Sequence, residues 1–342
     1  MQTLHYFAGG NTAGGFFSCF EDILPPAERK RMYFIKGGPG VGKSTLMKQV
    51  GRAAEAKGHE VAYYHCSSDP DSLDGVSLPE LGIGMMDGTA PHVYDPVIPG
   101  ARDTLLSLGD FLDEKALAPH AGEIGRIQRE ISARFARCYR YLAAAREVRA
   151  AAPCGVENAE RAAQTAQAWV KALPLRGGRG TVRRLFASAF TPKGLLDILP
   201  FDALERRVTL DCPFGADATG LMAQLSAGAR ERGLDVVELL DPLTPSRVAH
   251  VLIPAHGIAF CTGRRTGQSG EWLDAQSVFD LSEAREKESS FDRNAYELLL
   301  ERATEQLSGA KTLHDELETH YVRHMDFAGW QTVLDAVVAA LP

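Results

Sequence analysis

At 342 residues the chain has room for two compact domains, and 45% apolar with 24% charged residues is enough to close a core in each half. That balance excludes a disordered or fibrous protein. The opening Met1-Gln-Thr-Leu-His-Tyr6 lacks the basic and apolar stretches of a signal peptide, and no apolar run reaches the roughly 20 residues of a membrane span, so a cytoplasmic protein with no membrane partner is expected.

The six cysteines (Cys19, Cys66, Cys138, Cys154, Cys212, Cys261) are scattered without a C-x-x-C pair, which points to free thiols in a reducing compartment. Cys66 follows His65, but two adjacent residues without further ligands make a weak metal signature. The net charge of −7 is uneven: Glu123 to Lys193 holds fourteen Lys/Arg against five Asp/Glu, a local +9 that leaves −16 elsewhere. Seven of these arginines, Arg126 to Arg149, fall in one predicted helix. A solvated face paired with the acidic remainder is the plain explanation, and a nucleic-acid surface without a recognisable module is the weaker one.

In chain order, the first chemistry lies in residues 31–50, RMYFIKGGPGVGKSTLMKQV. Met32 to Ile35 reads as a strand, and Leu46, Met47 and Val50 have helical spacing. Between them Gly37-Gly38-Pro39-Gly40-Val41-Gly42-Lys43-Ser44 fits the phosphate-loop pattern G-x-x-x-x-G-K-[ST], followed by Thr45. Glycines let backbone N–H groups converge on phosphate oxygens, and the helix N-terminus adds positive potential. Lys43 would reach the β/γ-phosphates of a nucleoside triphosphate, and the Ser44 hydroxyl would ligate Mg²⁺.

A second strand is expected at Glu60–His65 and a third at Leu81–Met86. Asp87 ends the third, where a carboxylate can hold Mg²⁺ at the carboxyl end of the sheet, although Asp87-Gly88 also suits a turn. Gly88 stands where many ATPases carry a catalytic glutamate, so the water-activating group must come from elsewhere. The polar run Cys66–Gly75 offers Asp69, Asp71 and Asp74, either as acceptor-activating carboxylates or as a loop of turn formers. His92 could touch phosphate or shape a loop.

The chain also repeats itself. Phe7 to Phe16 resembles Phe186 to Leu195 at an offset of 179, and from the phosphate loop onward Met47, Gly58, Val61, Pro79 and Gly82 meet Met222, Gly233, Val236, Pro254 and Gly257 at 175. Each half then enters a long amphipathic helix, striped by Ile124, Ile127, Ile131, Phe135, Cys138, Leu142 and Ala145 or by Tyr296, Leu299, Ala303, Leu307, Ala310, Leu313 and Leu317. These stripes would bury a helical hairpin or the contact between halves. In the second half Asp217 and Ala218 replace Gly42 and Lys43, and Thr262 replaces Asp87. An aspartate repels phosphate, so this site is read as non-hydrolytic. Arg264-Arg265 oppose Thr89-Ala90 and could lend an arginine to the active half.

Taken together, HYFAGGNTAGGF, KGGPGVGKSTLMK, YHCSSDPDSLDGV, PELGIGMMDGTAPHVYDP and PGARDTLLSLGDF, with FASAFTPKG and AKTLHDELETHYVRHMDF, resemble a functionally uncharacterised bacterial family of tandem P-loop ATPases. The resemblance spans nearly the whole chain. It implies a cytoplasmic ATP-binding protein of two units, with ATP preferred on that ground alone. The family's second half also tends to carry a phosphate loop, and this chain departs there.

The expected fold is α/β and P-loop-NTPase-like: two tandem pseudo-symmetric units, 1–178 and 179–342, each with a mainly parallel sheet and a helical hairpin, divided near Gly177–Gly180. The leading function is an Mg²⁺-dependent ATPase whose nucleotide state changes how the halves, or two copies in a homodimer, fit together. In it Lys43, Ser44 and Asp87 hold phosphate and metal, while Asp69 or Asp71 positions water. The alternatives are a kinase for a small acceptor near Asp69, Asp71 and Asp74, and a nucleotide sensor that docks a protein partner through the basic helix.

Overall fold

The computed structural model describes residues 3–89, 93–151, 154–198, 204–264 and 271–342. The chain opens with β1 (Leu4–Phe7) and the hairpin β2 (Gly9–Thr12) and β3 (Gly15–Ser18). There follow β4 (Arg31–Lys36), α1 (Lys43–Ala56), β5 (Ala62–Cys66), β6 (Asp69–Leu78), β7 (Ile83–Asp87) and β8 (Asp103–Ser107). These make a six-stranded sheet in the order β1-β5-β6-β7-β4-β8. Five strands point one way, and β6 runs antiparallel to both its neighbours.

The sheet is therefore mixed, and the run expected as a polar loop supplies the one strand that runs against the other five. Asp, Ser and Pro are poor strand formers, which hid β6 from propensity. Tertiary packing overrides them: Leu73, Val76 and Leu78 enter the core under α1. On the opposite face Ser77 Oγ meets Tyr64 Oη at 3.1 Å.

After α2 (Glu114–Leu117) comes the long α3 (Ala121–Ala151), then β9 (Gly155–Glu157) and α4 (Ala159–Lys171). The chain continues with β10 (Val182–Leu185), the hairpin β11 (Ser188–Thr191) and β12 (Gly194–Asp197), β13 (Arg206–Asp211) and α5 (Thr219–Glu231). Next are β14 (Val236–Leu240), β15 (Val248–Ile253), β16 (Ile258–Gly263), β17 (Glu271–Leu273) and β18 (Phe279–Leu281). The long α6 (Glu283–Val322) and α7 (Phe327–Ala339) close it. The second sheet has the order β10-β14-β15-β16-β13-β17, with β15 antiparallel to its neighbours.

Local details recur too. Thr12 Oγ1 donates to Gly15 O at 2.7 Å and Thr191 Oγ1 to Gly194 O at 2.8 Å, each closing a hairpin turn. The two hairpins join into one four-stranded sheet, β12-β11-β2-β3. Tyr6, Phe7, Phe34, Tyr64 and Met86 from the first sheet share a core with Leu185, Leu239, Leu252 and Cys261 from the second. Half-buried Arg183 of β10 crosses over to donate to Asp22 O at 2.6 Å and Tyr64 Oη at 2.5 Å.

The helices correct the expectation of a separate hairpin in each half. α3 packs antiparallel along α6, with Ile124 and Ile127 beside Leu317, and Cys138 and Leu142 beside Ala303 and Leu307. α4 crosses to the second sheet, where Ala162 and Ala166 meet Leu210 and Leu221, and Trp169 stacks on Phe260 at 4.9 Å. α7 returns to the first, where Trp330, Leu334 and Val337 pack with Met47, Val50 and Ala54. Each half's last helix thus covers the other half's sheet. Stripe periodicity shows which face is buried, never against which partner.

Among the described residues, ion pairs engage three of the seven arginines of α3, Arg126, Arg146 and Arg149. Arg126 pairs with Glu130 at 2.6 Å and Glu316 at 3.6 Å, and Arg149 grips Asp241 at 2.9 Å. None of the six cysteines forms a disulfide among the described residues. Among the described residues no helix is long and apolar enough to cross a membrane.

Candidate functional site

The glycine-rich loop leaves the carboxyl end of β4 and turns directly into α1. Gly40 and Gly42 have φ of 71° and 86°, a left-handed backbone that favours glycine. Contacts demand it as well: a Cβ on Gly40 would lie 2.8 Å from Val322 Cγ2, and one on Gly42 2.9 Å from Trp330 Nε1. A Cβ on Gly38 would sit 2.8 Å from Tyr321 Cε1. The end of α6 and the start of α7 therefore lie on the loop. No motif signalled this cover, because it arrives from 280 residues further along the chain (Gly38 to Glu318).

Lys43, the first residue of α1, curls back so that Nζ donates to Gly37 O and Gly38 O, both at 2.8 Å. Its ammonium stands 3.7 Å from Asp87 Oδ2. Asp87 ends β7 opposite Ile35 of β4, so neighbouring parallel strands deliver the two charges to one place. Its other oxygen accepts from Thr89 N at 2.8 Å, and Thr89 Oγ1 donates to Gly37 O at 3.1 Å. Ser44 Oγ accepts from Leu73 N at 3.0 Å. The β5–β6 register slips on either side of His65, which stays opposite Leu73 while Asp74 is skipped.

The three aspartates of β6 separate by environment. Asp74 is buried beneath the loop, and its Oδ2 has no hydrogen-bond partner among the described residues. Burial and then the neighbouring Asp87 charge push its carboxyl up to about 7, opposed by Cys66 and Lys43. Burial raises the Cys66 thiol as well, with Asp74 adding to it. Asp69 accepts from Ser72 Oγ at 2.9 Å and lies 3.6 Å from Lys311 Nζ of α6. Asp71 is turned out to solvent and pairs with Lys193 of the β11–β12 turn at 2.8 Å. Lys43, Ser44, Asp69, Asp74 and Asp87 are thus brought together; Asp71 is not. Lys311, Tyr321 and Trp330 are the site neighbours that motif reading missed. Pro39, Val41 and Thr45 complete the loop and first turn, with Val41 buried in the core beneath.

The corresponding loop of the second half is filled by the protein's own carboxylates. Asp217 accepts from Thr219 N at 2.9 Å and pairs with Arg247 at 2.8 Å. Glu157 of β9 accepts from Leu221 N at 3.2 Å at the start of α5. Thr262 Oγ1 donates to Ala249 O at 3.0 Å.

Arg264 follows Gly263, whose carbonyl accepts from Cys212 N at 2.8 Å, so it stands beside this second loop. Phe214 of that loop meets Tyr296 on α6, whereas the first loop meets Glu318. At 1.5 Å per residue these points lie on the order of 30 Å apart along the helix, out of reach of an arginine in the same chain. Arg265 and His92 lie outside the described residues.

A family model described as Nephrocystin 3, N-terminal matches residues 18–77, from the end of β3 to the last residues of β6. It takes in the glycine-rich loop, α1 and the aspartates of β6, but covers only 60 of the 342 residues. No curated protein and no solved structure matches the chain.

Proposed function

We propose that the protein binds a nucleoside triphosphate, ATP by the family resemblance, at Gly37–Thr45 and hydrolyses it with Mg²⁺ in the first half alone. The observation that carries this reading is the meeting of Lys43 and Asp87 at the carboxyl ends of β4 and β7, across a loop whose backbone requires glycine. Lys43 now satisfies its ammonium on two loop carbonyls, which phosphate oxygens could replace. Ser44 and Asp87 would hold Mg²⁺, and the crowding of Asp74 by Asp87 and Asp69 favours a cation there. Mg²⁺ would supply neutralisation of phosphate charge, while this chain's backbone N–H groups and Lys43 orient the phosphates. Asp74 is the carboxyl best suited to hold or release a proton near neutral pH.

The same strand order in both sheets, and the matching hairpin turns, support two pseudo-symmetric P-loop-type units, the second decayed. Asp217 and Glu157 cap the α5 start where an anion would otherwise go, which supports a second site that takes no nucleotide. Tyr321, Val322 and Trp330 pack on the first loop, so occupancy there would bear on how α6 and α7 sit. That favours nucleotide-dependent fit between halves. A kinase reading loses Asp71 to Lys193 and has Asp69 beside Lys311.

The test is nucleotide binding and steady-state ADP release with Mg²⁺, for the wild-type chain and Lys43→Ala. Turnover that falls at least about 100-fold in the variant is expected, by analogy with loss of one transition-state donor. Tight binding without turnover would leave the sensor reading. Absence of binding in the wild type would overturn nucleotide recognition altogether.

A further inference from the structure

Where α3 begins and α6 ends, three side chains with metal-binding atoms converge outside the glycine-rich loop. One ligand atom each from His120, Glu123 and His320 lies within 4.8 Å of the other two. The His120 and His320 rings are 5.4 Å apart and tilted by 50°, and His324 stacks on His120 at 5.9 Å. His120 ends the short turn that runs into α3, and Glu123 stands three residues on in the first turn of α3. His320 stands in the last turn of α6.

Backbone pairing fixes these elements to each other. Asp113 N donates to His324 O and Asp326 N to Phe111 O, both at 2.8 Å, around the bridge Leu112–Met325. Among the described residues, Glu123 forms no ion pair, while its neighbour Arg126 is engaged by Glu130 and Glu316. The ring nitrogens of His120 and His320 likewise form no hydrogen bond among those residues. A second cluster, His314, Asp315 and Glu318, differs in both respects: it lies on one helix and is already paired internally and with Lys311.

We propose that His120, Glu123 and His320 bind one transition-metal ion of the Zn²⁺ type, with His324 beside the remaining position. Two imidazoles and a carboxylate suit zinc and its neighbours rather than Mg²⁺, which prefers oxygen ligands and keeps its waters. The ion pins the start of α3 to the end of α6, one residue before Tyr321, which rests on Gly38. The site does not depend on the nucleotide reading, since none of its ligands belongs to the loop.

The test is Zn²⁺ titration against a chelating indicator, and Co²⁺ titration followed by visible absorption, on the full chain without a histidine tag. One ion per chain is expected, unaffected by excess Mg²⁺, with a higher melting temperature in the presence of Zn²⁺. His120→Ala/His320→Ala should weaken binding more than about 100-fold, since loss of supporting groups alone costs about 10–100-fold. Glu123→Gln keeps the helix and should weaken binding while leaving the circular dichroism unchanged. Binding of the wild type that is absent or far from one equivalent overturns the site. So does binding that survives both variants, as it would if carried by the adjacent His5 and His65.

Discussion

Asp74 combines a carboxyl raised to about 7 with a buried oxygen that has no hydrogen-bond partner among the described residues, and this has a thermodynamic consequence. In the unfolded chain the same group would titrate near 3.8. The folded state therefore binds the proton more tightly, and between these values it carries more protons than the unfolded state. Stability from this group is fully present below about 4 and is lost as pH rises through about 7. Asp74→Asn keeps the shape without the charge. The variant should lose that slope and exceed the wild type at pH 8, by on the order of a few kcal/mol. Urea unfolding of both proteins at several pH values between 4 and 8 measures this, and parallel curves would refute it. Sequence placed Asp74 near the glycine-rich loop but gave the water-positioning role to Asp69 or Asp71. The distinction comes from burial, Lys311 and Lys193, two of which enter from distant segments.

At the scale of elements, the pieces with strong periodic signals were legible. The strand before the loop, the helix after it and both long amphipathic stripes are present, at β4, α1, α3 and α6. β6 was not, because its polar composition argues for a loop and only its neighbours make it a strand. The stripes reported burial without naming the partner. In the structure Leu307 of α6 is buried against α3, in a cluster with Cys138 and Leu142. Leu307→Ala should cost about 2–5 kcal/mol, the transfer of the side chain plus the cavity it leaves. Leu298 on the same helix is 53% exposed and serves as the control, with an effect within about 0.5 kcal/mol expected for Leu298→Ala. Chemical denaturation of both variants decides. Equal small losses would mean that α6 does not depend on α3 for its place.

For the whole molecule, the boundary near Gly177 divides the repeat in sequence but not the packing. Gly177 and Gly178 have open space around them, as a link would. Yet Arg176 N donates to Arg232 O at 2.7 Å and Gly180 N to Arg230 O at 2.9 Å, tying this stretch to α5. A chain of residues 1–178 would keep the first sheet but lose α7 from above Met47, Val50 and Ala54. It would expose the α3 face that α6 covers and leave α4 without the second sheet. Exposed apolar surface of this extent favours association over a stable monomer. Residues 1–178 alone should therefore show no cooperative thermal transition, whereas co-expressed 1–178 and 179–342 should assemble into a one-to-one complex that melts cooperatively. Calorimetry and sedimentation of the three samples provide the comparison. A cooperatively melting monomer from 1–178 alone would make the exchanged helices an ornament on two self-sufficient domains. Assembly only on co-expression would make the exchange the reason the two halves act as one body.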